Sequence, residues 1–292
     1  METEIKLLSL NINCLNSPIK RKQILSRLVK QKLEIVCLQE VHIKKQFQKY
    51  LKYPKLGRLF VALADQKQKE IVVYVKKEIK VTEKYVDPQG RILILELELG
   101  YKPMLLVIIY APNDNQNQFY KDLHEKIVEM EQDNVCIVGD LNVVVDIKKD
   151  YFSNVKNKKK RKILPRYFFN MAHELNLIDQ WRRINLGKKE FTFYSNPHKS
   201  WSRLDLAWMN TELGNQLETI EIMPNVWADY NPLKIIWKGR KRKSRRWILN
   251  PQILKEKECV EKIKKEMEFF FKENIVGRKN HYKIHGIQQK QF

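Results

Sequence analysis

Apolar and polar positions alternate with two different periods along this chain. Short apolar runs of strand length, such as IKLLSLNIN and EIVCLQE, are separated by longer stretches in which apolar residues recur at helical spacing. The first of these stretches, SPIKRKQILSRLVKQKL, begins with Ser17 as a helix N-cap and Pro18 at the first helical position. Its apolar face is predicted to consist of Ile19, Ile24, Leu25 and Leu28. The pattern predicts a mixed α/β protein.

Four strand-like runs follow in succession, RLFVALA, EIVVYVKK, ILILELEL and MLLVIIYAP, and they predict a run of antiparallel strands. Two further helices are predicted at NQFYKDLHEKIVEMEQ and RYFFNMAHELN. The remaining strands are predicted at VCIVGDLN, EFTFYSN, SRLDLAWMN, TIEIMPN and LKIIW. Two packed sheets flanked by helices fit this order better than one singly wound parallel sheet. We therefore predict a four-layered α/β sandwich of two mixed β-sheets flanked by helices.

Two basic runs interrupt this pattern: KNKKKRK at 156–162 and KGRKRKSRR at 238–246. We refer to them as the two basic runs. The second is followed by LNPQILKEKECVEKIKKEMEFFFKEN, which has the mixed charge and spacing of a helix. The sequence thus predicts one main domain over 1–238 and a basic linker with a helical extension over 239–292.

The charge balance narrows the choice of partner. Among 292 residues, 56 are Lys or Arg and 34 are Asp or Glu, a formal net charge of +22. A solvated basic surface is the simplest explanation, but an excess this large favours a polyanionic partner, either nucleic acid or an anionic membrane surface. Within the two basic runs we expect Lys158, Lys159, Arg161, Arg240, Lys241 and Arg242 to contact phosphates. Nuclear-import signals are the alternative explanation for these runs.

Other features of the sequence indicate the cellular compartment in which the protein is found. No apolar run reaches the ~20 residues of a membrane span, and the first residues do not resemble a signal peptide. The four cysteines lie far apart and form no CxxC pair, which indicates reduced thiols rather than disulfides or a zinc site. We therefore expect an intracellular, nuclear protein that is not secreted and binds no membrane. The sequence implies no obligate protein partner, and we expect a monomer.

Polar side chains recur where the predicted strands end. They are Asn11, Glu40, Tyr110, Asp140, Asn142, Asp205 and Asp229. One such ending alone is most often a turn former or a helix cap. Several together suggest a site, because strand ends meet at one edge of a layered α/β fold. Hard cations such as Mg²⁺ prefer the oxygen ligands that these side chains offer. The sequence thus predicts a Mg²⁺–phosphate site in a basic protein.

The motifs LNINCLN, CLQEVH, IIYAPN, GDLN, SRLD and ADYNPLKI, in this order, resemble the endonuclease/exonuclease/phosphatase superfamily. Within it the chain is most similar to the endonuclease domain of LINE-type retrotransposons, which is related to the apurinic/apyrimidinic endonucleases. The resemblance covers roughly residues 4–237. The tail resembles the segment that follows this domain in the retrotransposon polyprotein. The resemblance implies a DNA endonuclease that nicks one strand and uses Mg²⁺, with Mn²⁺ as an alternative ion.

The resemblance also implies roles for individual residues. Glu40 would be the main metal ligand, with Asn11 near metal and phosphate and Asp229 in the metal–water network. Tyr110 would hydrogen-bond the scissile phosphate. Asp140 would align or deprotonate the attacking water.

Three more positions follow from the same resemblance. Asn142 would orient the nucleophile, and Thr192 would lie beside the DNA. Asp205 would orient a histidine that donates to the phosphate oxygen where charge develops. In-line attack on a phosphodiester needs such a set of donors, with a positioned water and neutralised oxygens.

The sequence departs from the family where that histidine is expected, because Tyr230 occupies the position. A tyrosine keeps a donor hydroxyl but, with a pKa of about 10, cannot become a cation near neutral pH. Asp205 is then either solvated or bonded to the Tyr230 hydroxyl. Ala228, Leu141 and Tyr151 replace the usual Ser, Phe and Arg. We expect impaired catalysis, with tolerated drift in a subfamily as the alternative.

Two other functions stay open at this point. One is a catalytically inactive, nucleic-acid-binding remnant of a LINE-type element that keeps the fold and the basic surface. The other is a lipid or inositol-phosphate phosphatase of the same fold, which the LINE-like motifs and the basic tail disfavour.

Overall fold

The computed structural model describes residues 4–64, 70–99, 103–154, 161–225, 229–238 and 257–275. The chain forms two compact units, Met1–Lys241 and Arg242–Phe292. In the second unit one helix is described, α7 (Lys257–Ile275). The domain boundary predicted at residue 238 stays a prediction.

The first unit alternates strands and helices. Its strands are β1 (Ile5–Asn11), β2 (Ile35–Gln39), β3 (Arg58–Ala62), β4 (Ile71–Val75), β5 (Lys80–Val86), β6 (Ile92–Glu98), β7 (Met104–Tyr110), β8 (Val135–Asp140), β9 (Tyr151–Ser153), β10 (Leu177–Asp179), β11 (Phe193–Ser195), β12 (Ser200–Ser202), β13 (Asp205–Asn210), β14 (Leu217–Ile222) and β15 (Leu233–Trp237). Its α-helices are α1 (Pro18–Lys30), α2 (Gln116–Val128), α3 (Ile147–Asp150), α4 (Arg166–Glu174), α5 (Gln180–Ile184) and α6 (Thr211–Asn215). Two 3₁₀ turns cover Lys45–Leu51 and Pro54–Leu56.

Two six-stranded sheets form the centre of the fold. The first has the order β14-β15-β1-β2-β4-β3 and the second has the order β10-β13-β8-β7-β6-β5. Each contains one parallel pair, β1 with β2 and β7 with β8, among antiparallel neighbours. One apolar core joins inward-facing residues of both sheets, including Leu7, Val73, Ile108 and Val138. The sheets are therefore mixed and packed face to face.

Helices cover the outer face of each sheet. Leu25 and Leu28 of α1 belong to a second core against the first sheet, and Tyr120 of α2 and Phe168 of α4 belong to a third core on the second sheet. The predicted four-layered α/β sandwich is confirmed. In the described ranges, no helix is both long and apolar enough to cross a membrane.

The first helix begins as the sequence predicts. The Ser17 side chain accepts a hydrogen bond from the backbone N–H of Lys20, and Pro18 is the first helical residue. The predicted apolar face is correct except for Ile19, which is 72% exposed. Ile19 lies in the first turn, beyond the reach of the sheet that buries the later turns.

The predicted run of four antiparallel strands is wrong in its arrangement. β3 and β4 pair in the first sheet, whereas β6 and β7 pair in the second. The strand between them, β5, pairs with β6 at the edge of the second sheet and was not predicted. A third, three-stranded sheet of β11, β12 and β9 also went unpredicted.

Candidate functional site

One edge of the sandwich collects the polar strand ends. β1, β2, β7 and β8 finish there, at or just before Asn11, Glu40, Tyr110 and Asp140. The antiparallel strand β13 starts at the same edge, and its Asp205 lies opposite Asp140 in the ladder. Parallel strands end together and antiparallel strands begin beside them, so the topology brings these side chains into one group.

Asp140 is fully buried at the centre of this group. Its Oδ2 accepts a hydrogen bond from Asn11 Nδ2 at 2.9 Å, and its Oδ1 accepts one from the backbone N–H of Asn142 at 2.7 Å. Asn142 Nδ2 in turn donates to the carbonyl oxygen of Ala111 at 2.6 Å. Three residues from two motifs, Asn11 from LNINCLN and Asp140 and Asn142 from GDLN, are thus connected by hydrogen bonds.

The backbone before Asp140 explains the glycine of the GDLN motif. Gly139 has a φ of 139°, and a Cβ there would lie 2.0 Å from the carbonyl oxygen of Ile109 on β7. Only glycine tolerates both the angle and the close approach. The motif therefore requires Gly139 so that Asp140 can take its place.

Three residues around the site have left-handed backbone angles. Asn13, Glu40 and Asn142 have φ values of 43°, 54° and 58°. Asparagine tolerates this region, but it is uncommon for glutamate. Such strain is often found at functional sites, where the surrounding structure imposes it.

Burial raises the pKa of Asp140 to about 6. The hydrogen bonds from Asn11 and Asn142 oppose this shift, the Glu40 charge adds to it, and the Arg161 charge lowers it. The guanidinium Nε of Arg161 is buried without a hydrogen-bond partner among the described residues. Arg161 therefore lies close enough to act on the site and retains an unused donor.

Glu40 and Tyr110 form the second hydrogen-bonded pair of the site. The Tyr110 hydroxyl donates to Glu40 Oε1. Burial, together with the negative charge of Glu40, raises the pKa of Tyr110 above its usual value. Tyr110 is therefore a neutral donor at physiological pH, and it fixes one oxygen of the carboxylate.

Asp229 lies at the exposed rim of the site. Its Oδ2 accepts a hydrogen bond from Asn13 Nδ2 at 2.9 Å, which links the segment before β15 to the loop after β1. Asn11 Oδ1 accepts from the backbone N–H of Asn13 at 3.1 Å. These bonds place the loop after β1 between Asp140 and Asp229.

The residues at this edge suit a hard cation. Glu40 is half-buried, and its Oε2 has no hydrogen-bond partner within the described ranges. No group of three or more His, Cys, Asp or Glu side chains that could hold a metal is present among the residues described. Mg²⁺ commonly uses only one or two carboxylates, with water and substrate phosphate as its other ligands. An oxygen-only set around Glu40 fits that requirement.

Asp205 is buried without a hydrogen bond to either carboxylate oxygen in the described part of the chain. Burial raises its pKa well above the usual value, and the charge of Asp140 adds to the effect. The neighbouring Thr192 hydroxyl accepts from the backbone N–H groups of Leu204 at 2.9 Å and Asp205 at 3.1 Å, and its own O–H is the donor that opposes the rise in the pKa of Asp205. A buried polar group without a partner is costly, so this carboxyl is the anomaly of the site.

Tyr230 is buried beside this carboxyl and packs as a core residue. Its ring stacks on Phe193 with centroids 4.5 Å apart, and the two residues form an isolated β-bridge. Burial raises the pKa of Tyr230, and Asp140 and Asp205 are the nearest charges that add to the shift. Tyr230 makes no hydrogen bond to Asp205. Asp205 was expected to be either solvated or hydrogen-bonded to the Tyr230 hydroxyl. The structure shows neither, because the carboxyl is buried and makes no hydrogen bond to the tyrosine.

A buried ion network behind the site was not predicted. Arg203 is 1% exposed, and its guanidinium bonds Asp150 at 2.9 Å and Asp179 at 2.7 Å. Arg182 adds a bond of 2.6 Å to Asp150. Arg203 lies two residues before Asp205, so the network holds the start of β13. The SRLD motif contains this arginine, but its partners are far away in the sequence.

The predicted phosphate contacts are described only in part. Of these residues Arg161 is placed beside the site, as its effect on Asp140 indicates. Lys158, Lys159, Arg240, Lys241 and Arg242 lie outside the described residues, as does Ala228.

Comparisons with known proteins agree with this geometry. The chain is 25% identical over 266 residues to an exodeoxyribonuclease of Bacillus subtilis (strain 168), covering 80% of this chain and 99% of that protein. It is 23% identical over 235 residues to the transposon TX1 uncharacterized 149 kDa protein of Xenopus laevis, covering 78% of this chain. The match spans only 18% of that longer protein.

Solved structures share the fold. The AP endonuclease LMAP from Leishmania major has a TM-score of 0.69 at 15% identity, with 81% of this chain and 88% of that chain covered. The 3′ phosphatase NExo (D146N) from Neisseria, bound to product DNA hairpin, has a TM-score of 0.61 at 16% identity, covering 80% and 99%. The model of the Endonuclease/Exonuclease/phosphatase family matches residues 8–218, well over half of the sequence. The chain therefore belongs to the Endonuclease/Exonuclease/phosphatase family.

Proposed function

We propose that this chain is a Mg²⁺-dependent DNA phosphodiesterase of retrotransposon origin that nicks one strand, and that Tyr230 limits its rate. The observation that supports this best is the intact hydrogen-bonded set at the sheet edge. Asn11, Asp140 and Asn142 are connected, and Glu40 is paired with Tyr110. This arrangement would provide a base, oriented amides and a carboxylate for the metal ion at one place.

Asp140 suits the role of general base. A carboxylate whose pKa is about 6 is ionised near neutral pH and still binds a proton more strongly than an ordinary aspartate. Asn11 and Asn142 orient its two oxygens. Asp140 would therefore take the proton of the attacking water.

Glu40, with Asn11 and Asp229 nearby, would hold the metal ion. When bound, the ion would neutralise charge on the phosphate oxygens. Tyr110 would keep the Glu40 carboxylate in place and donate to the phosphate when substrate displaces that contact. Arg161, with its free Nε donor, would add a positive charge facing the scissile group.

Tyr230 would leave the reaction without one donor. The oxygen on which charge develops needs a preorganised donor, and losing one such group costs roughly 10²–10³ in rate. The Tyr230 ring is held against Phe193, and Asp205 has no imidazole to orient. Slow nicking is the expected consequence.

The alternative is a non-enzymatic DNA-binding remnant. The unpaired Asp205 favours it, because a site under selection for catalysis would be expected to use this buried carboxyl. In that case the remaining site residues would persist only for folding or binding.

A nicking assay with supercoiled plasmid tests the proposal. The native chain should nick slowly with Mg²⁺ and not with EDTA, and Glu40→Ala should remove the metal-dependent activity. Glu98→Ala is the matched control, since Glu98 is an exposed carboxylate that pairs with Lys80. Metal-dependent nicking that Glu40→Ala leaves unchanged would overturn the assignment, and its complete absence would favour the binding remnant.

A further inference from the structure

The helical layer on the first sheet is strongly and uniformly cationic. Between residues 18 and 30, α1 contains Lys20, Arg21, Lys22, Arg27 and Lys30 and no acidic residue. Residues 41–56, which follow Glu40 and form the two 3₁₀ turns, contain Lys44, Lys45, Lys49, Lys52 and Lys55 and again no acidic residue. α2, on the opposite sheet, balances two lysines with Asp122 and Glu125. This outer layer therefore carries positive charge that no acidic residue within the same segments balances, unlike α2.

Two aromatic rings stand exposed within this layer. Phe47 is 41% exposed and Tyr50 is 49% exposed, and their rings are stacked with centroids 6.0 Å apart and planes at 23°. Exposed apolar side chains are common on protein surfaces, so the informative features here are the stacking of the two rings and their position among lysines. They match the composition of a surface on which nucleobases stack while cations bind the backbone.

The pair is held in place by its surroundings. The Arg21 guanidinium lies 5.3 Å from the Tyr50 ring centroid, and the Lys49 ammonium lies 5.4 Å from it. Arg21 is itself fixed, because it donates to the carbonyl oxygen of Leu15 at 2.9 Å. The next residue along, Leu51, is fully buried, and its carbonyl accepts from the Tyr74 hydroxyl at 2.7 Å. The rings are thus preorganised, which lowers the entropy lost on binding.

This surface leads to the candidate site. Lys20, next to Arg21, donates to the carbonyl oxygen of Asn13 at 3.0 Å, and the Asn13 side chain bonds Asp229. Glu40 lies five residues before Lys45, where the first 3₁₀ turn begins. A strand crossing the candidate site could therefore continue along the cationic layer.

We propose that the layer formed by α1 and the 3₁₀ turns is a nucleic-acid surface on which Phe47 and Tyr50 stack unpaired bases. This proposal rests on the proposed function, because the nucleic-acid strand bound by this layer is the same strand that the candidate site would cut. It adds that the substrate has unpaired nucleotides beside the scissile phosphate. The two basic runs contain no aromatic residue, and the aromatic residues at the sheet edge, Tyr110 and Tyr230, are buried.

The test is binding, measured without metal so that catalysis plays no part. Fluorescence anisotropy of a labelled single-stranded oligonucleotide and of the matching duplex is recorded in EDTA. The double variant Phe47→Ala/Tyr50→Ala should bind the single strand at least roughly tenfold more weakly. Its affinity for the duplex should change by less than about threefold, because paired bases do not offer their faces.

Two further variants separate stacking from charge and from loss of fold. Phe47→Leu/Tyr50→Leu keeps the apolar surface without the rings and should show the same loss. Lys45→Gln/Lys49→Gln should instead lower the salt dependence of single-strand binding, by about 0.7 in the log–log slope for each lost phosphate contact.

The control is a second exposed aromatic pair, Phe152 and Trp201, which are 49% and 40% exposed and lie opposite each other on β9 and β12. Phe152→Ala/Trp201→Ala should bind the single strand as the native chain does. Native affinity in the Phe47/Tyr50 variants, or an equal loss in this control, would overturn the proposal. A failure to nick leaves these binding results intact, so the two proposals fail separately.

Discussion

Replacing Asp205 by asparagine should change how the free energy of unfolding depends on pH. Asp205 is buried without a hydrogen-bond partner in the described part of the chain, and burial raises its folded-state pKa well above the usual 3.8. As pH rises past the unfolded-state pKa, the unfolded chain loses this proton while the folded chain keeps it. The folded state of the native chain is therefore progressively disfavoured until the raised pKa is reached.

The size of the effect follows from the proton count. One such carboxyl removes up to about 1.4 kcal/mol of stability per pH unit. Over each pH unit between the usual pKa and the raised folded-state pKa, Asp205→Asn should gain up to about 1.4 kcal/mol of stability relative to the native chain. The amide introduced by Asp205→Asn is also buried without a partner, which lowers the free energy of unfolding, but this loss does not change with pH. Asp140, whose pKa is about 6, contributes in the same direction, and because its charge raises the pKa of Asp205, the difference between the two proteins reports the titration of this pair of carboxyls.

Urea unfolding followed by tryptophan fluorescence, in EDTA at steps of pH, measures this difference. The two curves of unfolding free energy against pH should converge at low pH and separate as pH rises. Parallel curves would mean that Asp205 is not buried as an unpaired carboxyl, and the account of the site would then be wrong.

Three further predictions concern the metal, the fold and the charge. Glu40→Ala should abolish the rise in melting temperature on adding Mg²⁺, whereas Tyr230→His should keep it; an unchanged rise in the Glu40 variant would place the metal elsewhere. Arg203→Met should lower the free energy of unfolding by about 3–5 kcal/mol, because the buried Asp179 loses its ion pair and Asp150 keeps only the one with Arg182. A loss below about 1 kcal/mol would show that the network is not structural. The two basic runs should make duplex DNA binding fall steeply with salt in a filter-binding assay, and a flat response would refute electrostatic binding.

The parts of the fold that the sequence predicted are those with a strong periodic pattern. The buried strands β7 and β8 are continuous apolar runs, and α1 has both a cap and a repeating apolar face. The strand β5, KVTEKYV, is mostly exposed at a sheet edge. Its many polar residues form no apolar run from which a strand could be predicted. The division of consecutive strands between two sheets depends on packing that no local pattern encodes.

The grouping of polar strand ends was predictable for a related reason. Polar residues at strand ends are local features, and the topology brings Asn11, Glu40, Tyr110 and Asp140 to one edge as expected. The ion network of Arg203 was not predictable, because its partners lie 53 and 24 residues away. The stacking of Tyr230 on Phe193 depends likewise on a contact between distant segments.

The nicking rate of Tyr230→His shows most directly whether Tyr230 limits a site that is otherwise complete. Supercoiled plasmid is incubated with Mg²⁺ and the native chain, Tyr230→His, or Tyr230→His/Asp205→Asn. We predict that Tyr230→His nicks at least roughly a hundredfold faster than the native chain, since one preorganised donor is restored. The double variant should lose most of that gain, because the imidazole then lacks the carboxylate that orients it. Equal rates for the native chain and Tyr230→His would contradict the account.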